Sequence, residues 1–125
     1  MNNTKYFDEV VERCDEKIAN VKRGIEKFVA ELTDNPAYAF RWADAKMGLA
    51  AEGYVAEVVK EMTLTCKAEG ESPEILRERV TRAAVQAGKY MKRSTSQSSN
   101  YMDNAKAAAW CDCMDDFGGL LGGRY

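Results

Sequence analysis

Apolar side chains recur every third or fourth residue near the start of the chain: Phe7, Val11, Cys14, Ile18, Val21, Ile25, Phe28 and Leu32, at spacings of 4, 3, 4, 3, 4, 3 and 4. Polar residues fill most of the positions between them. A 4-3 row held over more than three heptads is the signature of a helix that buries one narrow stripe against another helix. The spacing predicts a first helix over about 4–33. Asn3 or Thr4 stands at its cap, and Asp8 and Glu9 fall in an early turn where the helix dipole favours acid.

Asp34-Asn35-Pro36 ends that pattern and opens the next, with Asn35 as the expected cap and Pro36 in the first helical position. A connection this short makes antiparallel neighbours. The second helix is expected over about 36–68, with a seam of Phe40, Ala43, Met47, Ala50, Ala51, Tyr54, Val58 and Met62, followed by Thr65 and Cys66. It is rich in alanine and glycine, which lets a second backbone approach closely. A kink at Gly48 or Gly53 is an open alternative. Gly70 is a candidate C-cap, and Ser72-Pro73-Glu74 has the cap, proline and acid of a third helix over about 73–93. Its apolar side is Leu76, Val80, Ala83, Ala84, Ala87, Tyr90 and Met91. The polar run 94–100 reads as a loop, or as a continuation of the third helix. A fourth helix over about 100–117 carries Tyr101, Ala105, Ala109, Trp110, Cys113, Met114 and Phe117.

No segment alternates apolar and polar residues for the length of a strand, so the expected fold is an all-α four-helix bundle built on a long antiparallel hairpin. The 125 residues suit one domain, 1–117, with a glycine-rich tail over 118–125 that is mobile unless Leu120 and Leu121 dock. Two helices of roughly 45 Å, from about 1.5 Å per residue, are long for such a chain. The shorter third and fourth helices cannot cover both sides of the hairpin. The expectation is a homodimer with Phe7, Val11, Ile18, Val21, Ile25, Phe28 and Leu32 along its seam. The competing arrangement is a closed monomer with the second helix bent to fit.

A net charge of -2 excludes a dense phosphate mimic and does not favour nucleic-acid binding driven by net charge. No run is long and apolar enough for a membrane span, and the first residues lack the features of a secretory signal. The expected location is therefore cytoplasmic, with the four cysteines reduced. There is no histidine, hence no imidazole base or His-ligated metal. Cys111 and Cys113 lie two apart on a helix, about 200° around it, and cannot share one metal there. No metal, cofactor or catalytic residue is expected.

Two surfaces are candidates for partner binding. Tyr38 and Trp42 share a helix face with Arg41 among them, and Trp, Tyr and Arg dominate binding hot spots. The bland account is an aromatic core cluster near Phe28 and Leu32. On the third helix, Arg82, Lys89, Lys92 and Arg93 fall on one arc opposite the apolar stripe. That arc suits an acidic surface or phosphates, or is simply a solvated face.

Asp8, Glu9 and Glu12, with Asp15 and Glu16, place acids three and four apart. This short segment resembles the acidic helix motif of all-α nucleotide pyrophosphatases, which implies Mg²⁺ held by Glu9 and Glu12. The second acidic pair of those enzymes is not evident: Asp44 with Glu52, or Glu57 with Glu61, have the wrong spacing. The expected function is therefore a non-enzymatic interaction module, an adaptor or inhibitor docking on a larger protein or nucleoprotein complex. Phage and mobile-element inhibitors, anti-CRISPR proteins among them, share this size and lack of chemistry. A Mg²⁺-dependent nucleotide hydrolase and a helical nucleic-acid binder are the rival readings.

Overall fold

The fold is described from a computed structural model. It covers the backbone of residues 3–35, 37–94, 101–117 and 120–121, with side chains described for all of these except 38–47, 88–94, 101–104 and 114–116. The described residues form an all-α bundle of four helices: α1 (Asn3–Asp34), α2 (Tyr38–Ala68), α3 (Pro73–Ser94) and α4 (Tyr101–Asp116). Of the polar run 94–100, Ser94 closes α3, and the choice between a loop and a continued helix over 95–100 lies outside the described residues.

α1 and α2 pack along each other as an antiparallel hairpin. Their register is marked by cross-helix pairs: Lys67 Nζ with Asp8 Oδ1 at 2.6 Å, Lys60 with Asp15 at 2.7 Å and Lys17 with Glu52 at 3.6 Å. Asp8 does not serve the helix dipole, since α1 begins at Asn3 and has no acid in its first turn. It meets the far end of α2 instead.

Small residues permit the close approach that composition suggests. A Cβ on Gly53 would lie 3.0 Å from Val21 Cγ1, and one on Gly24 would lie 2.6 Å from Leu49 Cδ2. Each helix thus offers a notch to a branched side chain of the other. Gly48 differs, with no atom of the described residues within 4 Å of its would-be Cβ.

The helix ends follow their local chemistry, with one departure. Asn35 does not cap α2: its N–H donates to the Glu31 carbonyl at 3.0 Å and extends the ladder of α1. Ala37 stands at the N-cap of α2 and makes no side-chain capping bond. At the other end, Gly70 at φ 68° closes a Schellman turn. Glu71 N donates to Cys66 O at 2.9 Å and Gly70 N to Lys67 O at 3.3 Å. The turn delivers the chain to Pro73 and lays α3 beside α2 and α4.

The core collects Phe7, Val10 and Cys14 of α1, Val55, Val59 and Cys66 of α2, Leu76 and Val80 of α3, and Trp110, Cys113 and Phe117 at the α4 end. Two seams are rotated from expectation. In α1, Val10 is fully buried while Val11 is only partly so. The N-terminal half of α1 faces α2 and the chain's C-terminal end at once, which turns its buried arc toward Val10. In α2 the buried positions are Ala51, Val55, Ala56, Val59, Thr63 and Cys66, whereas Ala50, Tyr54 and Thr65 are exposed. α2 has neighbours on more than one side, so its buried arc is too broad to read as a single stripe. Thr63 satisfies its hydroxyl by donating to the Val59 carbonyl at 2.7 Å.

Two substitutions test this local reading by thermal unfolding. Gly48→Ala should raise stability by about 0.5–1 kcal/mol, because no described atom crowds the new methyl and alanine gains helix propensity. Gly70→Ala should lower it by about 1–2 kcal/mol, because its left-handed backbone penalises a Cβ.

Candidate interaction surfaces

Leu120 and Leu121, beyond α4, are docked. Tyr6 Oη donates to the Leu120 carbonyl, and Arg77 Nε donates to the same oxygen at 3.1 Å. The Arg77 guanidinium lies 5.3 Å from the centre of the Tyr6 ring, which meets Phe7 edge-on at 5.3 Å. Leu121 is fully buried and Phe117 nearly so. One carbonyl therefore ties the first turn of α1 to α3. Burial pushes the Tyr6 phenol above its ordinary range, and the facing Arg77 pulls against that shift.

A second cluster secures the α2–α3 turn. Arg79 Nη2 donates to Glu71 Oε2 at 3.1 Å, and its Nη1 donates to the buried Cys66 Sγ at 3.3 Å. Glu71 Oε1 lies 3.0 Å from the same Nη1 as an ion pair, without a hydrogen bond of its own. Burial raises the Cys66 thiol, with Arg79 opposing.

These contacts decide what α3 can offer. Arg77 and Arg79 are held by the protein's own groups. Arg82 is exposed and, among the described residues, meets Glu78, four residues back, at 3.2 Å; a pair this open contributes little. Beside it Val85 is 54% exposed, and Arg77, Glu78, Thr81, Arg82, Val85 and Leu121 line a shallow depression. Of the other expected partner residues, Tyr38, Arg41, Trp42, Lys89, Lys92 and Arg93 have side chains outside the described set. The depression at Val85 has no counterpart in the sequence reading, because a lone valine on a polar face carries no periodic signal.

The expected dimer seam is divided. Phe7 and Val21 are spent in the protein's own core and have no surface for a second copy. Val11, Ile18, Ile25, Phe28 and Leu32 are partly exposed.

The acidic segment lines a groove of about 540 Å³ between α1 and α2 that ends on Phe117. Glu9, Glu12 and Glu16 border it, and α2 contributes Glu52. Two of these acids are occupied: Glu9 by Arg13 at 3.7 Å and Glu52 by Lys17 at 3.6 Å. Among the described residues no three acids or thiols converge as a metal site would require. No helix among them is long and apolar enough to cross a membrane.

The cysteines separate by environment. Cys14 is held at about 12, chiefly by burial, with Cys113 and Asp15 adding to it. Cys111 is exposed, whereas Cys14, Cys66 and Cys113 are buried. At neutral pH a thiol reagent should modify Cys111 alone in the native protein and the other three only on unfolding, as counted by mass spectrometry. Leu121→Ala should cost about 2–5 kcal/mol by thermal unfolding, as expected of a filled core position. Compared with known proteins, the chain matches no protein-family model, no curated protein and no solved structure.

Proposed function

We propose that this protein is a non-enzymatic docking module, an adaptor or inhibitor that acts by covering a surface of a larger protein or nucleoprotein complex. The observation that supports this is the outer face of α3. There an exposed valine, Val85, and an exposed cation, Arg82, stand together over a depression that reaches the buried Leu121. An apolar anchor beside an arginine is the pairing that concentrates binding energy in protein interfaces. Mixed charge on the rim, from Arg77, Arg82 and Glu78, favours a protein partner over a phosphate backbone. A nucleic-acid surface needs several free cations, and two of the arginines on this helix are engaged internally. An inhibitor from a phage or mobile element, anti-CRISPR proteins included, is one setting in which a small module of this kind would act.

The test is capture on immobilised protein from the native cell, comparing the wild type with Val85→Glu/Arg82→Glu. Both positions are exposed, so helicity should be unchanged while the recovered partner falls by about tenfold or more, as expected when a hot spot is removed. Unchanged capture would overturn the assignment. So would Mg²⁺-dependent nucleotide turnover that Glu9→Gln abolishes, which would favour an enzyme.

A further inference from the structure

α1 carries a second 4-3 row beside the one that builds the core: Val11, Asp15, Ile18, Lys22, Ile25, Val29 and Leu32. Val11, Ile18, Ile25 and Leu32 are partly exposed, Val29 is 54% exposed, and Asp15 and Lys22 are open to solvent. Mid-way along the row, Ile18 and Ala19 border an open groove whose opposite wall is Glu57, Lys60, Glu61 and Leu64 of α2, with Leu64 44% exposed. No residue of α3 or α4 lines this groove among the described residues. α1 therefore presents coiled-coil spacing on a side that no described residue of α3 or α4 covers at this groove.

We infer that this outer face of the hairpin binds a second copy of the chain, in an antiparallel two-fold arrangement centred near Ile18 and Ala19. Charge decides the occupant and its direction. Asp15 and Lys22 lie two turns apart on one row, on either side of the proposed centre. A two-fold axis there sets Asp15 against the partner subunit's Lys22, and does so twice. A parallel arrangement would set each charge against its like. Asp15 holds Lys60 at 2.7 Å yet leaves 53% of its side chain exposed, so it can meet a second cation. The same axis brings Val11 within about one helical turn of the partner subunit's Val29.

Size suits a weak association. About that axis the row meets its copy over residues 11–26, roughly 22 Å, and two helices side by side are about 20 Å wide. That face, roughly 450 Å², is a little over half of the ~800 Å² that a standard interface takes from each partner. The inference uses a different face from the α3 docking surface and stands or falls without it.

Sedimentation equilibrium at about 100 μM, where a weak self-association shows its concentration dependence, tests it. The wild type should sediment at twice 14.0 kDa. Ile18→Glu should return it to the monomer mass, with helicity checked by circular dichroism. Lys22→Glu changes an exposed side chain that the fold does not need. It should weaken association by about tenfold or more, as should Asp15→Lys, since each meets a like charge across the axis. Mixing those two variants should restore a heterodimer. A wild type that stays monomeric at that concentration would overturn the inference. So would a dimer indifferent to Ile18→Glu and Lys22→Glu, or one broken instead by the Val85 and Arg82 changes on α3.

Discussion

The close approach of α1 and α2 is the contact on which the rest of this structure depends. Gly53 gives way to Val21 and Gly24 to Leu49, so the two helices meet more closely than larger residues would allow. The contacts differ in stiffness. Leu49 presents the mobile end of a long side chain, whereas Val21 is β-branched, buried and held in one rotamer. Val21 against Gly53 therefore sets the spacing, and the ion pairs from Asp8, Asp15 and Lys17 align the register at little energetic gain. With the hairpin fixed, the Schellman turn at Gly70 delivers α3 beside α2, and α4 packs against both α2 and α3 to complete the core.

The closure is uneven along the length. At the open end of the hairpin's chain path, near the N-terminus of α1, Tyr6 and Arg77 converge on the Leu120 carbonyl, and Phe7, Leu76, Phe117 and Leu121 are all nearly or fully buried. Beyond Val21, α1 has no buried residue. Apolar residues in that half, Ile25, Phe28, Val29 and Leu32, are left partly or largely exposed. A chain with two long helices and two shorter ones reaches this outcome by length alone. The surplus apolar surface of α1 belongs to the hairpin face proposed for a second copy, whereas the α3 surface rests on Val85 and Arg82.

Much of this architecture was legible in the residues. The 4-3 row announced α1, Pro73 and Gly70 marked the turn into α3, and the small residues of α2 foretold tight packing. The misplaced seams share one cause. Periodicity reports a single buried stripe, and it misleads where a helix has several neighbours. Val10 was hidden behind Val11 for that reason, and Val55 and Val59 behind Tyr54 and Val58. Asn35 misled differently, since one residue had the chemistry for either helix and the α1 ladder claimed it. The functional surfaces were harder to read. Arg77 and Arg79 look like solvated cations until the tail carbonyl and Glu71 are placed against them, and those partners are distant in sequence or across a turn.

Native-state hydrogen exchange measures the central claim most directly, because it ranks each segment by the free energy needed to open it. If the α1–α2 contact is the foundation, the slowest amides will be those of Phe7–Val21 in α1 and Ala51–Cys66 in α2, with the amides of α3 and the C-terminal segment opening first. Slowest exchange in α3 and α4, with the hairpin opening at lower free energy, would contradict the account.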